Sequence, residues 1–180
     1  GCLTFLNSTI YDLKLKKENM ECEDSVNFIK TNGDVEELKI KNSEYDGVDA
    51  DFSQIDFNNI DISNSGNDCI DFSYGEYKIR YADLNYCNDK AISSGEKSLL
   101  NVDQIMILNS NIGIASKDSS KVFIEDAKMK NTNNCLTSYK KKQEFWGGYI
   151  FSNKVECSNS FKFTDKDQYS EIIINNSIKK

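Results

Sequence analysis

Hydrophobic residues recur along this chain at a fixed interval. One column of aliphatic residues advances in steps of 22 and consists of Val26, Val48, Ile70, Ile92, Ile114 and Leu136. Two further columns each contain one step of 23 residues. The second column consists of Val35, Phe57, Ile79, Val102 and Ile124. The third consists of Ile40, Ile62, Leu84, Ile107 and Met129. Such a period indicates a repeat protein whose units stack on one another.

Within each period, apolar and polar residues alternate, as in the segments LKI, IDI and VFI. Alternation of this kind is typical of β-strands, whose successive side chains point to opposite faces. A short unit with three strands cannot bury its apolar face alone, whereas stacked coils can. The pattern therefore predicts an all-β fold, a parallel β-solenoid with about 22 residues per coil and roughly eight coils.

Two further columns mark the predicted turns. Asparagine stands at one turn position in most coils, with Tyr86 as the exception: Asn42, Asn64, Asn109 and Asn131. Stacked asparagines can hydrogen-bond to one another and to turn backbone from coil to coil. The next turn begins with small residues that fit a tight corner, namely Ser25, Gly47, Cys69, Ala91, Gly113 and Cys135.

The 22-residue coil, the three aliphatic columns and the asparagine column resemble the pectin-lyase-like superfamily. The resemblance covers about residues 24–140 and implies a right-handed parallel β-helix. It does not select one function, because proteins of this fold include lyases, hydrolases, epimerases, adhesins and phage fibres.

The two ends depart from the period. Residues 1–23 contain the strand-like segment YDLKLK at an off-register spacing, which predicts an irregular first coil. Residues 140–148 interrupt the repeat and predict a loop insertion. We expect one domain over residues 1–180. Because the open ends of a solenoid need to be covered, the chain is a candidate for part of a longer protein or for end-to-end self-association.

Composition narrows the classes of function. The net charge of −7 would repel a phosphate backbone, so no nucleic-acid partner is expected. No apolar run approaches the roughly 20 residues that a membrane span requires, so no membrane span is expected. Because the sequence has no histidine, histidine-based acid–base catalysis and histidine metal sites are excluded. A single arginine, Arg80, excludes an arginine cluster for anions.

The six cysteines do not form a recognisable framework. None belongs to a CxxC pair, so a tetrahedral zinc site is not expected. Their spacing does not impose disulfide pairing, and we interpret them as buried small hydrophobic residues. They are Cys2, Cys22, Cys69, Cys87, Cys135 and Cys157.

Carboxylates gather on one predicted outward face. If Val48 and Ile70 face the core, then Asp49, Asp51 and Asp71 face solvent. One turn column stacks at intervals of 22 and contains Asp24, Asp46, Asp68 and Lys90. Like charges about 5 Å apart repel, so turn N–H groups, Lys90, a shared proton or a bound cation must offset the repulsion.

Three interpretations of this face are open. The turn aspartates can cap turns through Asx-type hydrogen bonds. Alternatively, the face can hold calcium, which prefers hard oxygen ligands, through Asp46, Asp49, Asp68 and Asp71. It can also be a catalytic site whose residues are Asp46, Asp68, Asp71 and Lys90. A ligand on this face would further contact Asp49, Asp51, Glu96 and Lys117.

The catalytic interpretation rests on a partial resemblance to the polygalacturonase family. The segments YDGVD and GNDCIDF are similar to its N-T-D-G and G-D-D-C motifs, and they place Asp46 and Asp68 at motif aspartates. That family hydrolyses glycosidic bonds with an acid and a base on either side of the bond. The chain departs from the family at Asn67, and it lacks the G-H-G and R-x-K motifs. A lyase would need a base such as Lys90 or Lys117.

The insertion region, with the sequence SYKKKQEFWGGY over residues 138–149, adds aromatic and basic side chains. Aromatic rings stack on sugar rings and lysines attract uronate or sulfate, so we expect ligand contacts from Tyr139, Lys140, Lys141 and Trp146. The alternative is a solvated loop whose tryptophan covers a coil edge. Because the insertion lies three coils, or about 14 Å, from the aspartates, one centre containing both is not expected.

These observations predict an extracellular or cell-surface β-helix module that recognises a glycan, with polysaccharide as the candidate partner, or serves as a scaffold. A second hypothesis is a small polysaccharide-active enzyme, either a lyase or a glycoside hydrolase. A third is a structural fibre subunit. No cofactor is expected except calcium.

Overall fold

The protein is described by a computed structural model that covers residues 1–179. These residues form β-strands without an α-helix. The strands are β1 (Leu3–Leu6), β2 (Thr9–Met20), β3 (Asp24–Ile29), β4 (Asn32–Ser43), β5 (Asp46–Asp51), β6 (Gln54–Ser65), β7 (Ile70–Ser73), β8 (Glu76–Gly95), β9 (Leu99–Lys117), β10 (Lys121–Tyr139), β11 (Tyr149–Ser158), β12 (Lys162–Lys166) and β13 (Glu171–Lys179).

Each coil stacks on the next through parallel strand pairs. Strands β1, β3, β5 and β7 stack in that order, and the series continues through β8, β9, β10, β11 and β13. Strands β2, β4, β6 and β8 form a second stacked series. Because β8 belongs to both series, one continuous strand there follows the coil around a corner. The result is a parallel β-solenoid of about 8 turns.

The register confirms the three aliphatic columns. In the first column, Val48 pairs with Val26 on one side and with Ile70 on the other. In the second column, Ile79 pairs with Val102, which is the step of 23 residues. The additional residue lies in the turn between Gly95 and Leu99. All three columns are buried in one continuous core along the inside of the solenoid.

The asparagine column forms a hydrogen-bonded ladder. The Asn42 side-chain amide donates to Asn19 Oδ1 at 2.7 Å, and the Asn64 amide donates to Asn42 Oδ1 at 2.9 Å. These turn residues adopt the left-handed conformation, with φ of 59° at Asn42 and 60° at Asn64. Asparagine tolerates that conformation better than other residues with a Cβ. Tyr86 interrupts the ladder, and Asn109 donates to Asn85 instead.

The cysteines correct the interpretation drawn from their spacing. All six pair into disulfides, which are Cys2–Cys22, Cys69–Cys87 and Cys135–Cys157. The second and third disulfides are fully buried, so the predicted burial of their cysteines is confirmed. The interpretation of the cysteines as unpaired hydrophobic residues is wrong. The partners are separated by 18 to 22 residues, about one coil, so that stacking brings them together.

The end regions differ from the regular coils. Strand β2 pairs with β4 with register shifts between Ile10 and Lys14, so the first coil is irregular. Residues 140–148 form the loop between β10 and β11. Across residues 1–179, no helix has the length and apolar character required to cross a membrane.

Candidate functional site

Carboxylate side chains line the outward side of consecutive coils, a surface that we call the acidic face. Strands β3, β5 and β7 and the turn before β7 carry it. The parallel register places Asp24 beside Asp46 and Asp49 beside Asp71. Side chains alternate along each strand, so the intervening residues point into the core. The acidic face comprises Asp24, Asp46, Asp49, Asp51, Asp68 and Asp71.

Asp46 and Asp68 cap the turns of neighbouring coils. Asp46 Oδ1 accepts hydrogen bonds from the Asp68 backbone N–H and the Asn67 side-chain amide, both at 2.8 Å. Asp68 Oδ1 accepts from the Lys90 backbone N–H at 2.9 Å. The bonds therefore run between coils rather than within one turn as in an Asx turn. They explain why these aspartates recur at intervals of one coil.

The Lys90 ammonium is engaged by carboxylates. Its side chain is only 12% exposed, and Nζ lies 3.2 Å from Asp68 Oδ1 and contacts Asp89. Burial opposes the charge of Lys90, but both carboxylates outweigh burial and raise its pKa. Burial also raises the pKa of Asp68 to about 6, despite the neighbouring ammonium. A protonated lysine held in this way is not the base that a lyase would need.

Asp49 is the carboxyl group of the acidic face whose ionisation is most strongly opposed. Burial raises its pKa to about 8, and the nearby carboxylates of Asp51, Asp24 and Asp71 act in the same direction. The Asn27 side-chain amide donates to Asp49 Oδ2 at 2.9 Å. Protonation removes one negative charge from the stacked carboxylates. Protonation of Asp49 is therefore one way to offset the repulsion that the sequence predicts between stacked carboxylates.

Lys117 reaches across a glycine to the acidic face. Its side chain is 6% exposed, and Nζ lies 3.8 Å from Asp71 Oδ1. A Cβ atom at position 95 would lie 2.8 Å from Lys117 Cε, so Gly95 leaves the space that the lysine side chain occupies. Asp71 lies outside the predicted turn column. Its cationic partner is Lys117, two coils away.

The insertion turns back along the solenoid towards the acidic face. The Lys142 ammonium forms an ion pair with Glu96, which also accepts a hydrogen bond from Ser73. Burial alone would raise the pKa of Glu96, but these two hydrogen bonds outweigh it and hold the pKa below its usual range. Backbone N–H groups of Lys141 and Lys142 donate to Asp118 at 2.7 Å. The insertion thus contacts Glu96 and Asp118, carboxylates that lie on the coils beyond the acidic face.

Aromatic rings follow one turn of the solenoid beside the acidic face. Phe52 and Tyr74 stack with their ring centroids 4.6 Å apart, and Phe145 packs against Tyr74 at 6.2 Å. Trp146 contacts the Tyr169 ring edge-on at 5.3 Å. We call this surface the aromatic edge, and it comprises Phe52, Tyr74, Phe145, Trp146 and Tyr169.

Lysines accompany these rings. Lys97 lies over the Phe145 ring with Nζ 5.9 Å from its centroid, and Lys140 lies over the Tyr169 ring at 5.4 Å. Cation–π attraction of this kind is electrostatic and orients the ammonium groups on the aromatic surface. The aromatic edge is therefore basic, whereas the adjoining face is acidic.

Two rings of the aromatic edge are held in an unfavourable backbone conformation. Phe52 has φ of 52° and Tyr74 has φ of 48°, and both side chains remain largely exposed. A left-handed conformation costs a bulky L-residue about 1–2 kcal/mol. Sequence reasoning missed both residues, although their separation of 22 positions could have revealed them.

The remaining predicted ligand-binding residues occupy distinct environments. Trp146 is 64% exposed, and its backbone N–H donates to Ser119. The Lys140 backbone N–H donates to Asp167. Tyr139 is half-buried, and burial raises its pKa against the influence of the Lys117 and Lys90 charges. The insertion therefore contributes both a ring in solvent and a ring beside the buried lysines.

The proposed calcium ligands do not converge. In the part of the chain that the structure describes, no group of three or more acidic, histidine or cysteine side chains is arranged to hold a metal ion. Asp46 and Asp68 accept backbone hydrogen bonds, and Asp71 lies against Lys117. The geometry favours coil-to-coil hydrogen bonding and ion pairing over calcium binding.

Comparison with known proteins yields no relative. No protein-family model, no curated protein and no solved structure matches the chain.

Proposed function

We propose that this protein is a glycan-binding β-solenoid and that polysaccharide lies along the aromatic edge. The observation that carries the proposal is the row of exposed aromatic side chains along one turn of the solenoid, in which Phe52 and Tyr74 stack on successive coils. The same turn is left-handed at Lys30 and Asp118, so the coil geometry fixes the backbone at this turn and holds the two rings on the surface.

The chemistry of the surface suits a sugar chain. The rings can stack on the apolar faces of sugar rings, while Asp51 can accept hydrogen bonds from hydroxyl groups. Lys97 and Lys140 can attract uronate carboxylates. From the turn of Phe52 to that of Tyr169 the edge crosses five coil steps, or about 24 Å, so an extended ligand fits better than a single sugar.

Two further proposals accompany this function. The parallel solenoid and its asparagine ladder support membership of the pectin-lyase-like superfamily, whose members share this architecture. The disulfides support an extracellular or cell-surface location, because disulfides form and persist in oxidising compartments.

Replacement of Trp146 or Tyr74 by alanine should weaken glycan binding at least about tenfold, a loss of about 1.4 kcal/mol in binding free energy. Interface tryptophan and tyrosine side chains commonly contribute that much when they are truncated. Isothermal titration calorimetry with oligogalacturonate and oligoalginate measures the effect.

Tyr11→Ala is the matched control, because Tyr11 is 76% exposed on β2, away from the aromatic edge. Equal affinity in Trp146→Ala, Tyr74→Ala and Tyr11→Ala would contradict the proposed site, as would the absence of binding to acidic and neutral glycans by the unchanged protein.

A polysaccharide-active enzyme is the second candidate, favoured by the pairing on the acidic face. Burial raises the pKa of Asp49 to about 8, which suits a proton donor, and Asp71 on the next coil lies beside the Lys117 ammonium. Acid and base carboxylates of this kind are what glycoside hydrolysis requires. Because the Asp46 and Asp68 carboxylates cap turns, Asp49 is proposed as the acid in their place.

If the chain is an enzyme, Asp71→Asn should abolish the release of new reducing ends or unsaturated products from oligogalacturonate. Asp61→Asn, on an exposed position of β6, is the control and should retain activity. Absence of product with the unchanged protein over a panel of acidic and neutral polysaccharides would remove the enzyme hypothesis and leave binding intact.

A further inference from the structure

A separate groove runs along the asparagine turn. It has a volume of about 590 Å³ and is lined by asparagine and serine side chains around Tyr86. Although 28% of the residues of this protein are charged, none of the described residues that line this groove is charged. Its walls offer the hydrogen-bond donors and acceptors of Asn64, Asn88, Asn109 and Asn131.

Tyr86 is the one aromatic side chain in this groove, and it occupies an asparagine position. Its φ is 56°, which matches the neighbouring rungs at Asn64 and Asn109, and its side chain is 57% exposed. Tyrosine is less well suited than asparagine to this left-handed conformation. This backbone conformation therefore does not account for a tyrosine here, and more than half of the side chain faces solvent.

The break in the ladder also leaves hydrogen-bonding capacity unused. Asn42 Oδ1 accepts from Asn64, and Asn109 Oδ1 accepts from Asn131, each at 2.9 Å. Tyr86 follows Asn64 in this column and Asn109 donates to Asn85, so within residues 1–179 no side-chain hydrogen bond reaches Asn64 Oδ1. An acceptor beside an exposed ring is thus available to a ligand.

We infer that the groove around Tyr86 binds a neutral, hydroxyl-rich saccharide chain. The ring can stack on the apolar face of one sugar, while side-chain amides exchange hydrogen bonds with its hydroxyl groups. A groove without charged walls does not favour a uronate over a neutral sugar. The amides repeat at the coil spacing of about 4.8 Å, which suits a linear ligand along the solenoid axis. This inference does not depend on the aromatic edge.

Tyr86→Asn is the decisive variant, because it removes the ring and extends the asparagine ladder. We expect Tm to rise by about 2–4 °C, as for a stabilisation of moderate size. The affinity for neutral oligosaccharides should fall at least about tenfold. The probes are cellopentaose, xylopentaose, mannopentaose and laminaripentaose, titrated by calorimetry.

Tyr86→Phe should retain binding, since it preserves the stacking surface. Trp146→Ala should also leave the affinity for the neutral probes unchanged, because Trp146 lies on the aromatic edge. Binding that survives Tyr86→Asn but is lost in Trp146→Ala would overturn this inference while supporting the proposed function. The failure of all four probes to bind would overturn it as well, whatever the result with acidic glycans.

Discussion

Asp49→Asn should make the protein more stable than the unchanged chain at pH 8, with little difference at pH 4. Burial raises the pKa of Asp49 to about 8 in the folded protein, against a usual value of 3.8. Between these two values the folded state binds more protons than the unfolded state. Stability therefore falls as the pH rises through this window, by up to about 1.4 kcal/mol per pH unit for this group.

Neighbouring carboxylates contribute in the same direction. Burial raises the pKa of Asp68 to about 6 and also raises those of Asp46 and Asp51. Asp49 should give the largest share of the decline above pH 6, because Asp68 is ionised in both states there. Asparagine is neutral at every pH and can still accept the hydrogen bond from Asn27. The Asp49→Asn substitution should therefore remove the part of the decline in stability that Asp49 causes.

Urea denaturation at half-unit intervals from pH 4 to pH 9 measures the effect. Asp61→Asn is the control, because Asp61 is exposed on β6 and lies outside the acidic face. A pH profile of Asp49→Asn parallel to that of the unchanged protein would show that Asp49 does not carry the proton.

Removal of the Cys69–Cys87 disulfide should lower the free energy of unfolding by about 3 kcal/mol. The two cysteines are separated by 18 residues, and a crosslink of that loop length restricts the unfolded chain by about this amount. Cys69 directly follows Asp68, and the disulfide is fully buried. We therefore expect the loss of packing in the double variant Cys69→Ala/Cys87→Ala to add to the entropic effect.

The double variant Cys2→Ala/Cys22→Ala is the matched comparison. Its disulfide closes a loop of similar length, with a separation of 20, but lies in the irregular first coil, where Cys2 is exposed. We expect a smaller loss of stability there, since little packing is removed. A thiol titration in guanidinium without reductant should find no free thiol, and six free thiols per chain would refute the pairing.

The repeat could be recognised from the sequence because the coil imposes it. Val48 and Ile70 pack in the same core column, so each coil must supply an aliphatic residue at the same position. The left-handed turn likewise selects asparagine at Asn42 and Asn64. Both requirements act on single residues at a fixed spacing, and a fixed spacing can be recognised in the sequence alone.

The candidate site was only partly predictable for a related reason. The outward positions of Asp49 and Asp71 follow from strand alternation, but the raised pKa of Asp49 depends on burial and on four neighbouring carboxylates. The reach of Lys117 across Gly95 depends on side-chain length and on a missing Cβ two coils away from Asp71. Neither relation has a characteristic sequence spacing.

The sequence by itself determined the parallel solenoid, its core columns and the row of carboxylates, because stacking repeats one local environment every 22 residues. Only the tertiary structure decided the disulfide partners, the return of the insertion to Glu96 and the packing of Phe145 against Tyr74. Those features arise where different coils meet through side chains outside the periodic core. Their contacts depend on distances in space, which a period along the chain does not specify.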